Sequence, residues 1–213
     1  MVGLSRGAEA PARFPNVPSD YLREPDEIPG FWISSPPDIE EFLRSRVRKG
    51  RVAAIGTTAG NRPILGAFYG TARSGKGTTT FSGSLGFRDV RAYIGPDHGK
   101  RVYMVFAGVH GGEFEGMVGL VNFLSVLEAG RDLRGTEWPE ITAAAQKLDR
   151  IIVVPILNVD GRTRVPLRMI RHRGKDHTVQ EYFNTGGKTD GTLIGWPQCK
   201  QFIPLDFSKT QFP

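Results

Sequence analysis

The stretch RVYMVFAGVHGGEFEGMVGLVNFLSVL, Arg101 to Leu127, decides how the rest of the chain is read. Val102 to Ala107 is apolar throughout rather than alternating, which predicts a strand buried on both faces. After Glu113, Met117, Leu120, Val121, Leu124 and Leu127 recur at helical spacing and predict an amphipathic helix. Between the two lie His110 and Glu113, three residues apart and separated only by Gly111 and Gly112. On a tight turn that enters a helix, residues three apart can face one point. A neutral imidazole and a carboxylate are then one nitrogen and one oxygen donor of the kind zinc accepts. Glycines around them remove side-chain bulk, so backbone and ligands can crowd about an ion. The plainer alternative is a histidine hydrogen-bonded at a helix start, with Glu113 favoured by the helix dipole. Glu115, two residues further on, is expected to point elsewhere.

Outward from this stretch, residues 140–148 form a second helix candidate and RIIVVPILN, Arg150 to Asn158, a second continuously apolar strand. Strand, helix, strand with apolar strands implies a parallel pair joined by a right-handed crossover, within an α/β sheet covered on both faces. In such sheets sites form where loops leave the carboxyl ends of the strands, and both GVHGGE and NVDGR stand at such ends. NVDG, Asn158 to Gly161, on its own reads as a plain turn. Upstream, RVAAIGTT and RPILGAFYG read as a hairpin about Ala59-Gly60-Asn61. The expected sheet is therefore mixed and largely parallel. TTTFSGS suggests a further short strand. Ile39, Phe42, Leu43 and Val47 predict a helix that starts near Ser35-Pro-Pro-Asp38, with Asp38 a candidate N-cap, and stops at Gly50. Residues 1–38, rich in Pro, Gly and charge, read as an extended lead-in, with Phe31 and Trp32 tucked on the body, and 39–213 as the domain proper. From Gly161 on, regularity fades into loops.

The chain has 213 residues and a net charge of +6. No apolar run approaches the roughly 18–20 residues a membrane span needs. The N-terminus lacks a continuous apolar h-region, and the single Cys199 excludes an intrachain disulfide and a Cys-rich zinc site. These features suit a cytoplasmic protein. The basic excess is local: Arg162, Arg164, Arg168, Arg171, Arg173 and Lys175 precede the first acid, Asp176. Such a run is either a solvated loop or a site for anionic substrate groups. Without interleaved aromatics or a reader motif it does not point to nucleic acid. GTARSGKGTT, Gly70 to Thr79, comes close to a phosphate-binding loop, but Gly77 replaces the hydroxyl residue and a strand is expected where the motif needs a helix.

Taken together, GNRPILGAFYG, FAGVHGGEFEG and PILNVDG resemble in order and spacing the zinc carboxypeptidase family, the M14-type metallocarboxypeptidases. The resemblance covers roughly residues 41 to 175. Two departures are Val159 where the family usually has proline and Asn61 where a glycine usually precedes Arg62. The resemblance implies zinc as cofactor, His110 and Glu113 as ligands, and peptides as substrates that lose their C-terminal residue. It also implies that an arginine beyond NVDG stabilises the oxyanion. Arg171, in the R-x-x-R of Arg168 to Arg171, fits that role, and Arg173 is the second choice and a substrate-binding candidate. The family's third ligand, a histidine, and its catalytic glutamate come later than any match before Pro213. His172 and His177 come too early, and His98 reads as a solvent-facing loop residue. The expectation is thus the N-terminal two-thirds of a catalytic domain, incomplete at the C-terminus and inactive alone. The alternatives are a non-catalytic peptide- or partner-binding module on the same fold, or an amidase or deacylase acting on small N-acyl or peptidoglycan substrates.

Overall fold

The structure is a computed structural model that describes residues 27–165, save positions 76, 78–80, 87 and 94. Its elements are α1 (Pro36–Arg46), β1 (Arg51–Thr57), β2 (Pro63–Gly70), α2 (Phe81–Gly86), β3 (Val102–Phe106), α3 (Phe114–Ala129), α4 (Pro139–Gln146), β4 (Arg150–Val154) and α5 (Val159–Arg164). The strands form one mixed sheet in the order β1-β2-β4-β3. β1 and β2 pair antiparallel, as do β2 and β4, while β3 and β4 pair parallel with Val105 opposite Val153. The parallel pair is the one expected from the strand–helix–strand reading. No described helix is long and apolar enough to cross a membrane.

Alternation along the strands selects the core face. Ala67 of β2 and Ile151 and Val153 of β4 join Ile39, Phe42 and Leu43 of α1, Met117, Val121 and Leu124 of α3, and Val159 of α5 in one buried cluster. The α3 stripe is the expected one, with Leu120 and Leu127 packed against the cluster from its margin. The opposite face carries Phe68, under the guanidinium groups of Arg51 and Arg150 at 5.0 and 5.2 Å from its ring centre. β3 is not the fully buried strand its composition suggests. It is the outer strand of the described sheet, so only Val105 and Tyr103 turn toward α3, and Met104 and Phe106 are exposed.

Local chemistry explains several boundaries that differ from expectation. Helix α1 begins at Pro36, where a missing N–H costs nothing, and its N-cap is Ser35 rather than Asp38. The Ser35 hydroxyl accepts from Asp38 N at 3.3 Å. Phe81–Gly86 is a short helix, α2, and not a strand; Leu85 O and Ser84 O accept from Arg88 N and Asp89 N and close it. The lead-in is docked at its end. Asn122 of α3 donates to Phe31 O at 3.2 Å, and the Arg134 guanidinium lies 4.6 Å from the Phe31 ring centre.

Glu128, near the end of α3, ties three elements together. Its carboxylate accepts from Arg48 N at 3.1 Å, Lys49 N at 3.0 Å and the Tyr69 hydroxyl at 2.8 Å. Burial pushes the Tyr69 phenol well above its ordinary range, and the Glu128 charge adds to this. For Glu128 itself desolvation acts upward, but the hydrogen bonds from Lys49, Arg48 and Tyr69 outweigh it and the pKa falls. A depressed carboxyl contributes stability that is present above its unfolded value, about 4.3, and lost as pH falls through the folded value. Glu128→Gln is expected to cost about 1–2 kcal/mol at neutral pH. In urea melts at stepped pH, the variant should lose less stability than wild type below about pH 4; parallel curves would show that Glu128 does not carry this dependence.

Candidate metal centre

The parallel pairing of β3 and β4 continues past the strand ends. Ala107 N donates to Val154 O at 3.0 Å, Leu157 N to Ala107 O at 2.9 Å and Asn158 N to Gly108 O at 2.8 Å. The GVHGGE and NVDG turns therefore leave the sheet side by side, at one end. Gly108 has a φ of 62°, which lets the chain turn away from the sheet immediately after β3. Gly111 touches the other turn directly. A Cβ there would stand 2.3 Å from the carbonyl carbon of Gly161 and 2.6 Å from Arg162 N.

Glu113 N donates to His110 O at 3.3 Å and closes the turn that leads into α3. Glu113 occupies the N-cap position of α3, yet its carboxylate makes no capping hydrogen bond. It turns instead to His110, with Oε1 2.7 Å from Nδ1. An ionised carboxylate only accepts, so in this contact Nδ1 carries the proton. The two side chains are 48 and 66% exposed, which leaves them open to solvent and to an ion. Nitrogen and oxygen ligands of one tetrahedral zinc, each at about 2.0–2.2 Å, stand roughly 3.4 Å apart. Among the described residues no group of three His, Cys, Asp or Glu side chains could hold a metal. Glu115 is exposed on α3 and His98 is exposed in its loop. Arg171, Arg173, His172 and His177 lie outside the described residues.

NVDG is more than a turn. Asn158 is the N-cap of α5, and its side chain accepts from Gly161 N at 2.8 Å. Asp160 is 2% exposed and reaches the hairpin turn a hundred residues upstream. It accepts from Thr58 Oγ1 at 2.8 Å, Gly60 N at 2.9 Å and Arg62 Nη1 at 2.8 Å. Desolvation acts to raise its pKa, but these hydrogen bonds and the Arg62 charge prevail and hold it below the usual aspartate range. The hairpin and the β4 turn are thereby latched together beside the His110 turn. An apolar cleft of about 260 Å³ lies on the α1 side of the latch, between Leu43, Leu65, Ile156 and Val159, and neither His110 nor Glu113 lines it.

The basic window also departs from a solvated loop at its first residue. Arg162 is 1% exposed, and burial draws its pKa down to about 10. Nothing local in the sequence marks Arg162 as internal.

No family model matches the chain, and no curated protein does. Among solved structures, thrombin activatable fibrinolysis inhibitor is similar at a TM-score of 0.40 and 14% identity, over 68% of this chain and 28% of that one. A candidate carboxypeptidase from Burkholderia mallei is similar at a TM-score of 0.40 and 18% identity, over 70% of this chain and 34% of the other. A metallo-carboxypeptidase from Burkholderia cenocepacia is similar at 0.39 and 18%, over 70 and 35%. The chain spans about a third of the length of these structures. At such scores the likenesses establish neither family nor activity.

Proposed function

We propose that the chain carries part of the catalytic domain of a zinc-dependent metallocarboxypeptidase, with His110 and Glu113 as two of the metal's ligands. The observation that supports this is the 2.7 Å approach of His110 Nδ1 and Glu113 Oε1 at the carboxyl end of the parallel strand pair. A helix-capping role for Glu113 would have turned its carboxylate to the α3 amides, and it is not there. The metal, when bound, polarises a scissile carbonyl and lowers the pKa of bound water. The chain's own share is positional. The GVHGGE turn presents one nitrogen and one oxygen donor, and the latched NVDG turn backs it. Arg171, by the motif resemblance, supplies a fixed positive charge for the developing oxyanion, with Arg173 beside it in sequence for an anionic substrate group. The substrates on this reading are peptides with a free C-terminus.

Because catalytic zinc sites use three protein ligands and this reading names two, residues 1–213 are expected to bind zinc weakly and to release C-terminal residues slowly or not at all. The test is competition of the chain with a chromophoric zinc chelator. Loss of a partner behind a ligand already costs about 10–100-fold in affinity, so His110→Ala and Glu113→Ala should each cost at least roughly that. Zinc affinity unchanged in both variants, or no zinc bound by the wild-type chain, would remove the metal reading.

A further inference from the structure

Arg162 is a buried cation whose partners are neutral. Its Nε donates to Ser34 O at 2.7 Å, Nη1 to Val165 O at 2.8 Å and Nη2 to Ser34 Oγ at 3.3 Å. The central carbon of the guanidinium lies over the Phe114 ring, 4.4 Å from its centre. Phe114 is the first residue of α3 and follows Glu113 directly. The backbone of the same arginine also bears on Gly111, with a Gly111 Cβ position 2.6 Å from Arg162 N. One residue thus touches the His110–Glu113 turn within it, at Gly111, and directly after it, at Phe114. The hydrophobic core offers no reason for a charge at this place, since an apolar side chain of similar volume would avoid the desolvation.

We infer that Arg162 is a positioning residue for the His110–Glu113 pair: its guanidinium, held by Ser34 and Val165, sets Phe114 and with it the turn that aligns the two side chains. This rests on the proposed metal reading for its purpose, though not for its geometry. Arginine suits the task because a rigid planar fork can donate in its plane to Ser34 and Val165 while its face stacks on a ring. Ser34 lies in the segment before α1, so the end of the lead-in becomes part of the support of the centre. A lysine could bring the charge but neither the fork nor the flat face.

The experiment is amide hydrogen exchange on the 1–213 chain, comparing Glu113 N–H, which closes the turn, with Val121 N–H inside α3. Arg162→Met fills the volume, and Arg162→Lys keeps the charge. Phe114→Leu breaks the same contact from its other side and serves if the Arg162 variants fold poorly. Leu43→Ala, in the core face of α1, lowers global stability away from the turn. Arg162→Met and Phe114→Leu are expected to speed Glu113 exchange roughly tenfold or more relative to Val121, with Arg162→Lys giving no rescue. Leu43→Ala should speed Val121 at least as much as Glu113, and so should not raise that ratio. Zinc affinity should fall in parallel by roughly tenfold in both turn variants. A Glu113 to Val121 ratio that is unchanged in the turn variants, or that moves equally in Leu43→Ala, would overturn the assignment. A wild-type chain that binds no zinc while the exchange ratio shifts as expected would sink the metal reading and leave the positioning role standing.

Discussion

Gly111→Ala is expected to be among the most damaging single changes in the described part of the chain. The added Cβ would stand 2.3 Å from Gly161 C, 2.6 Å from Gly161 O and 2.6 Å from Arg162 N, all of them backbone atoms. No side-chain rotation relieves such contacts, so one of the two turns must move. The NVDG side is held by Asn158 N on Gly108 O and by the Asp160 latch, and the His110 side by Ala107 N on Val154 O. Overpacking between such fixed partners costs about 3 kcal/mol, the upper end of its usual range. For a domain of this size that lowers the melting temperature by roughly 6–12 °C. On the proposed metal reading zinc affinity should fall with it, because the turn that aligns His110 and Glu113 is the part displaced. Gly119→Ala is the contrasting change. A Cβ at this exposed position of α3 meets nothing within 4 Å, and alanine should stabilise the helix by about 0.5–1 kcal/mol. Thermal melts of both variants beside wild type decide the matter. A Gly111→Ala melt within a degree or two of wild type would mean that the two turns do not touch.

Asp160→Ala should destabilise by about 3 kcal/mol. Removing one partner of a buried ion pair costs about 3–5 kcal/mol, and the lower end applies because Arg62 is free to turn toward water. Its side chain is 43% exposed against 2% for Asp160. The variant would also leave the Thr58 hydroxyl and Gly60 N–H without their acceptor. Asp160→Asn keeps the shape and one acceptor oxygen and should cost less, about 1–2 kcal/mol. The pKa of Asp160 is depressed, so its contribution is present above the unfolded aspartate value near about 3.9 and disappears as pH falls through the lower folded value. Chemical denaturation from neutral pH down to about pH 2.5 should therefore show the gap between wild type and Asp160→Asn narrowing below about pH 4. A gap that stays constant, or an Asp160→Ala variant as stable as wild type, would mean that the latch is not formed in solution.

The wild-type residues at these two positions show how far local sequence reaches. The hairpin was legible because its turn is local: Asn61 takes a φ of 59°, which asparagine tolerates, between two apolar runs of strand length. The α3 stripe was legible because its period is a property of the helix. The approach of His110 and Glu113 was legible for the same reason, since a closed turn carries residues three apart to one side whatever packs beneath. The identity of the α1 cap was settled by which of two adjacent polar side chains had its oxygen facing the free amide, and residue type alone does not decide between Ser35 and Asp38.

The support of the site belongs to the tertiary structure. Asp160 reads as a turn residue until the β2–β4 pairing brings Thr58 and Gly60 to it. Arg162 reads as one charge in a basic run until Ser34, Val165 and Phe114 surround it. The exposure of Met104 and Phe106 follows from the position of β3 at the outer side of the described sheet, which its composition does not encode. The sequence by itself thus determined the hairpin, the amphipathic helix and the approach of His110 to Glu113, because backbone propensity and hydrophobic period act over a few residues. Which side chains are buried, and which carbonyls and carboxylates satisfy them, was decided only by the tertiary fold, because the partners are separated by about a hundred residues of chain and meet only when the sheet has assembled.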